Sequence, residues 1–190
     1  MTNPLIASLK AVDNFSQEDI DLFSSRISKL SLKKGEDFLK EGQVCKHIAF
    51  VEKGLAMHYQ TIDGEEAARD FTAEGGWVTY IKSFSTQSIS DMGIRVLEDT
   101  DLQCLSYHTL LELFELQPKF VAVRNFYMEK SYFDIVQHST NLATLDAKNR
   151  YYKMMKEKPD IINRVPQYYI ASYLGIKPQS LSRIRKESIR

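Results

Sequence analysis

The sequence predicts an α+β chain: an antiparallel β-sandwich or barrel comes first, and helices follow it. Three observations carry this expectation. From about Leu30 to Ser106, short apolar runs alternate with turn residues at Lys34-Gly35-Glu36, Glu41-Gly42, Gly54 and Asp63-Gly64. From Tyr107 the texture changes, and apolar residues recur at helical rather than alternating spacing. Last, Gln167 to Lys186 reads QYYIASYLGIKPQSLSRIRK, the pattern of a helix-turn-helix.

Taken in order, the first element is a short amphipathic helix. Ser16 stands as its N-cap, Glu18 and Asp19 sit in its first turn, and Ile20, Phe23 and Ile27 share one face. Extended segments are expected at Phe38-Leu39, His47 to Glu52 and Leu55 to Ile62. The last of these enters a tight hairpin at Asp63-Gly64 and returns over Glu66 to Phe71. Trp77 to Ile81, Gly93 to Leu97 and Leu102 to Ser106 complete the β-rich part.

Leu110, Leu111, Leu113 and Phe114 suit a short helix, and Pro118 marks a break or a new helix start. Lys119 to about Gln137 lacks internal Gly and Pro and carries Phe120, Val123, Phe126, Tyr127, Phe133 and Val136. That is a helix of roughly twenty residues, about 30 Å long, with more aromatic surface than a solvated linker tolerates. It packs on the sandwich, pairs with its twin in a dimer, or does both on different faces. A further helix is expected over Leu145 to Lys156, with Pro159 closing it.

In the helix-turn-helix pattern, Ala171 is the small contact residue and Gly175 the turn, with Ile170, Leu174, Ile176, Leu181 and Ile184 forming the seam. Pro178 fits the first turn of the second helix. Gln179, Ser180, Ser182, Arg183 and Lys186 are left facing outward, and such side chains read base edges or hold phosphates. The same pattern also occurs in ordinary helical hairpins, so its setting matters. From Ala147 onward eleven Lys or Arg face three Asp or Glu, a net +8, which leaves −8 on residues 1 to 146 of a chain with no net charge. A basic C-terminal part on an acidic body is the footprint of a nucleic-acid binder.

Composition limits the alternatives. At 43% hydrophobic and 26% charged the chain has a globular composition. No stretch approaches the roughly 18 apolar residues of a membrane span, and residues 1 to 15 lack a signal-peptide pattern, so the expectation is a cytoplasmic protein that does not engage a membrane. Cys45 and Cys104 are isolated, and His47, His58, His108 and His138 are scattered, so no metal site or cofactor is expected. Metal-dependent oxygenases share the sandwich shape but need clustered His and carboxylate ligands, which His47 and His58 lack.

An acidic β-sandwich, a long connecting helix and a basic C-terminal helix-turn-helix resemble the cyclic AMP receptor protein and fumarate-nitrate regulator (Crp/Fnr) family. Arg164-Val165-Pro166-Gln167-Tyr168-Tyr169-Ile170-Ala171-Ser172-Tyr173-Leu174-Gly175-Ile176 and Ser180-Leu181-Ser182-Arg183-Ile184-Arg185 are similar to the branch of that family common in Bacteroidetes. Lys34-Gly35-Glu36, Glu41-Gly42 and Leu97-Glu98-Asp99-Thr100 resemble its strand and turn landmarks. The resemblance implies a jelly-roll sandwich of the cyclic-nucleotide-binding type over residues 1–115, a connecting and dimerisation helix over 116–140 and a DNA-binding domain over 141–190. It also implies a homodimer that sets two recognition helices into successive major grooves of double-stranded DNA, open to an encounter with RNA polymerase.

Two departures from the family matter. Members that bind cyclic nucleotides carry Gly-Glu followed by Arg-Ser or Arg-Thr and Ala; the glutamate takes the ribose and the arginine the phosphate. The resemblance puts Val78, Thr79, Ser90, Asp91 and Met92 at those positions here. An aspartate there repels phosphate and removes its bidentate donor, so cyclic AMP of the usual binding mode is not expected. Trp77, Tyr80 and Arg95 lie near this degenerate effector pocket and either line it for another small molecule, whose binding would control DNA binding, or fill it as a collapsed pocket. The cysteine cluster of the oxygen-sensing branch is also missing.

The second departure is that only Pro159 to Val165 precedes the motif, too short for the wing hairpin of many relatives. Phosphate contacts therefore fall to Lys177, Arg185, Lys186 and the helix N-terminus, while Gln179 prefers adenine and Arg183 guanine, assisted by Ser180 and Ser182. The leading expectation is a DNA-binding transcription regulator, and not an enzyme.

Overall fold

The fold described here is that of a computed structural model covering residues 3–188; Arg190, counted in the basic surplus, lies outside them. The helices α1 (Pro4–Lys10) and α2 (Gln17–Ser25) come first. The strands β1 (Ser28–Leu32), β2 (Asp37–Leu39), β3 (His47–Lys53), β4 (Leu55–Ile62), β5 (Glu65–Ala73) and β6 (Trp77–Val78) follow, then a short helix α3 (Ile81–Thr86) and strands β7 (Gly93–Val96) and β8 (Thr100–Ser106). The rest is helical: α4 (Tyr107–Leu116), α5 (Lys119–Thr144), α6 (Ala147–Glu157), α7 (Pro159–Arg164), α8 (Gln167–Tyr173) and α9 (Pro178–Ser188).

The strands form two four-stranded antiparallel sheets in the orders β1-β8-β3-β6 and β2-β7-β4-β5, which is the expected jelly-roll sandwich. Alternation along each strand supplies three apolar layers. Ala49, Val51, Ala56, Val78, Ile94 and Leu102 fill the space between the sheets. Phe50 and Leu105 point the other way, into a second core with Leu5, Leu9, Phe23 and Phe120 from the helices on that side. Leu55, Met57, Tyr59 and Phe71, on the outer face of the other sheet, meet Tyr151, Ile162, Ile170, Ala171 and Tyr173 of the C-terminal helices.

The local signals acted as their chemistry requires. Ser16 and Asp19 form a reciprocal capping box at the start of α2. Asp63 and Gly64 both take positive φ, 52° and 82°, so the β4–β5 turn matches the right-handed strand twist.

Several boundaries differ from the sequence expectation. The strand expected over Trp77 to Ile81 stops at Val78, and the chain turns into α3, which ends at Gln87 in the left-handed region. The long helix continues to Thr144, for 26 residues or about 39 Å, because no Gly or Pro stops it before Leu145 turns extended. Pro159 does not merely close a helix. It occupies the first turn of α7, where its missing N–H is no loss, so the segment before the motif is itself helical. Helix α1 and strand β1 were not anticipated. Helix α1 has a capping Asn3, whose side chain accepts the Leu5 amide, and Pro4 in its first turn.

Candidate nucleic-acid interface and the cavity behind it

The turn between α8 and α9 is a Schellman closure. The Gly175 amide donates to Ser172 O and the Ile176 amide to Ala171 O, each at 3.0 Å, with Gly175 at φ +65°. Arg150 ties this turn to the preceding segment, its Nε donating to Leu174 O at 2.9 Å and its Nη1 to Leu145 O. The seam is apolar: Ile170, Ala171, Leu174, Leu181 and Ile184 are buried, and Ile176 packs against them. The Lys177 carbonyl accepts the amides of Ser180 and Leu181, so α9 starts directly behind Pro178.

With Leu181 and Ile184 turned inward, α9 exposes Gln179, Ser182, Arg183 and Lys186, and Lys177 is exposed just ahead of them; Ser180 and Arg185 are half-buried. Gln179, Arg183 and Lys186 are spaced i, i+4, i+7 and share a face. An amide, a guanidinium and an ammonium on one open helix face are the groups that read adenine and guanine edges and hold phosphate.

What the sequence did not reveal is how the motif sits on the sandwich. Strand β5 is a sheet edge, and α8 lies along it, with Ser172 Oγ accepting the otherwise open Ala68 amide at 2.9 Å. Tyr169 donates its hydroxyl to Glu66 at 2.8 Å, and Lys158 reaches Asp70 at 3.1 Å. Arg164 bridges Glu74 and Glu98, with contacts of 2.8 to 2.9 Å. The Arg164 guanidinium is the main cause that holds the Glu74 carboxyl down at about 2. Part of the basic surplus is therefore neutralised by the acidic body, a pairing that no local sequence signal discloses.

The cassette positions are dispersed. Val78 packs between the sheets, and Ser90 is buried with its hydroxyl donating to Met92 O. Asp91 accepts the Tyr80 hydroxyl at 2.6 Å and Lys82 Nζ at 3.3 Å, which ties the start of α3 to the following loop. Burial and Asp91 together push the Tyr80 hydroxyl up to about 12. Trp77, Thr79, Tyr80 and Met92 do share a cavity of about 690 Å³ between the sandwich and α5, which Tyr173 and Lys158 of the C-terminal helices also line. Arg95 is not part of it: its guanidinium is held by Asp37 and Glu66 beside Tyr59. Among the described residues no cluster of three His, Cys, Asp or Glu could hold a metal ion, and no helix is long and apolar enough to cross a membrane.

The sequence matches no family model and no curated relative. Solved structures do resemble the fold. The c-di-GMP-responsive global regulator CLP of Xanthomonas campestris superposes with a TM-score of 0.73 at 17% identity, over 90% of this chain and 91% of that one. A candidate Crp/Fnr-family transcriptional regulator from Eubacterium rectale gives 0.70 at 17% identity, over 91% and 83%. The catabolite activator protein of Thermus thermophilus gives 0.61 at 17% identity, over 95% and 85%. The fold is the one these regulators share, a jelly-roll sandwich followed by a long helix and a helical C-terminal part.

Proposed function

We propose that this chain is a homodimeric, sequence-specific DNA-binding transcription regulator of the Crp/Fnr type that works in the cytoplasm without binding cyclic AMP. The observation that carries the reading is α9, which holds Gln179, Arg183 and Lys186 on one open face above a buried seam. On this reading Gln179 and Arg183 meet base edges with Ser180 and Ser182 beside them, and Lys177, Arg185 and Lys186 track the backbone. Residues 1–115 serve as the sensor, 116–140 as the dimer helix and 141–190 as the reader.

Dimerisation is supported by α5. Its first turns bury Phe120 and Val123, whereas Tyr132, Phe133 and Ile135 further along are 63%, 65% and 61% exposed in the single chain. Phe126, Phe133 and Val136, which do not line the cavity, are 43%, 65% and 43% exposed and spaced 7-3, the stripe of a coiled-coil seam. The absence of cyclic AMP binding is supported by Asp91, a fixed carboxylate where the family resemblance puts the phosphate partner. Sedimentation of the purified protein with and without duplex DNA tests the reading: a two-chain particle with salt-sensitive DNA binding supports it, and a monomer indifferent to DNA removes it.

A second reading is supported by the cavity at α5, that the sandwich senses a small molecule other than a cyclic nucleotide and so controls the reader.

A further inference from the structure

The turn that aims α9 is held by a side chain outside the motif. Its Schellman bonds use the carbonyls of Ala171 and Ser172 and not that of Leu174, which lies at the buried end of α8. Arg150 Nε donates to the Leu174 carbonyl at 2.9 Å, and the other arm of the same guanidinium, Nη1, donates to Leu145 O, where the chain leaves α5 in an extended conformation. Bonds from a charged fork are stronger and more directional than neutral ones. Arg150 is half-buried, so water replaces them only in part. One guanidinium thus joins the end of the long helix to the turn of the helix-turn-helix.

The end of α5 makes further contacts with the C-terminal helices. His138 stacks on Tyr173 at 4.1 Å between ring centres, and Asn141 Oδ1 accepts Lys153 Nζ at 3.1 Å. Leu142 Cδ2 lies so near Gly175 that an added Cβ would be 3.2 Å from it. Positions 138, 141, 142 and 145 are spaced i, i+3, i+4, i+7 and form one stripe. The exposed stripe of Phe126, Phe133 and Val136 lies roughly 140° away round the helix. On the dimer reading, α5 meets its twin with one side and holds the turn of the motif with the other, so a swing of the motif about the end of α5 changes the distance between the two copies of α9. We propose that Arg150 is a positioning residue: by tying the turn to the end of α5 it sets the separation of the two recognition helices, and with it the spacing of the DNA half-sites that the protein accepts. This rests on the reading of the chain as a dimeric DNA binder and adds to it what selects the spacing. The bases within each half-site stay with α9, because the Arg150 guanidinium is occupied by the two carbonyls.

Half-sites enriched from a random DNA pool by the full-length wild-type protein are placed in duplexes at the enriched spacing, at spacings one and two base pairs shorter or longer, and singly. Wild type should bind the enriched spacing about tenfold more tightly than its neighbours. Arg150→Met keeps much of the side chain's length without its donors. It should reduce that preference to about twofold or less, with the two-chain particle and the affinity for a single half-site unchanged. Arg150→Lys keeps the charge but not the fork; it should lose the preference too, and it serves as the test where Arg150→Met does not fold. Indifference of the wild type to spacing, a wild-type preference retained by the variants, or a loss of affinity that is equal on every duplex including the single half-site overturns the inference and leaves the DNA-binding reading standing. A wild-type protein that enriches no repeated half-site overturns both.

Discussion

Arg164 faces Glu74 with both terminal nitrogens, Nη1 to Oε2 and Nη2 to Oε1, each at 2.8 Å. Because Arg164 ends α7 and Glu74 follows β5, this pair fixes the C-terminal helices against the sandwich. Its side chains are 26% and 41% exposed, so solvent weakens it, but Glu98 adds a second carboxylate. Arg164→Ala is expected to lower stability by about 1–2 kcal/mol in urea denaturation. It should also increase protease cleavage between α6 and α8. A loss below about 0.3 kcal/mol would show the bridge to be incidental.

The same pair gives a pH dependence with a definite sign. Glu74 ionises near 2 when folded and near 4.5 when free, so the unfolded chain takes up the proton first as pH falls. The stabilisation is full above pH 4.5 and is lost as pH drops from there toward 2. In denaturation curves across that window, wild type should lose its advantage over Glu74→Gln. A constant difference between the two proteins excludes the pairing as its source.

Gly175 is held at φ +65°, and an added Cβ would meet Leu142 Cδ2 at 3.2 Å. Gly175→Ala should therefore cost about 1–2 kcal/mol from the left-handed backbone, and this contact raises the cost further unless Leu142 shifts. The check is thermal unfolding of a variant whose α9 contacts are otherwise unchanged.

The two proposed classes of DNA contact can be separated. Arg183→Ala should lose about 1–3 kcal/mol and relax specificity at one base pair, whereas Lys186→Ala should weaken all duplexes alike and reduce the salt slope by about one. Titrations at several salt concentrations measure both. Identical behaviour of the two variants contradicts the assignment.

How much of this was legible depends on whether the signal is local. The seam residues Ile170, Ala171, Leu174, Leu181 and Ile184 announce themselves by spacing, and they are buried as that spacing requires. Helix α1 was legible in principle from Asn3-Pro4 and the Leu5/Leu9 pair, both of which are buried. The Ser172–Ala68 bond, the Arg164 bridge and the cavity were not, because each joins residues far apart in sequence. The cassette positions were aligned through flanking landmarks, which give sequence position but not side-chain direction. Hence Thr79 and Met92 line the cavity while Val78 faces the core.

The central claim is tested most directly by selecting bound duplexes from a random DNA pool with the wild-type protein. The account predicts enrichment of a near-palindromic site whose half-sites lie about one helical turn, or a multiple of it, apart, with the base preference at one position of each half lost in Arg183→Ala. A pool that stays random, or an enriched sequence with a single unrepeated half, contradicts it.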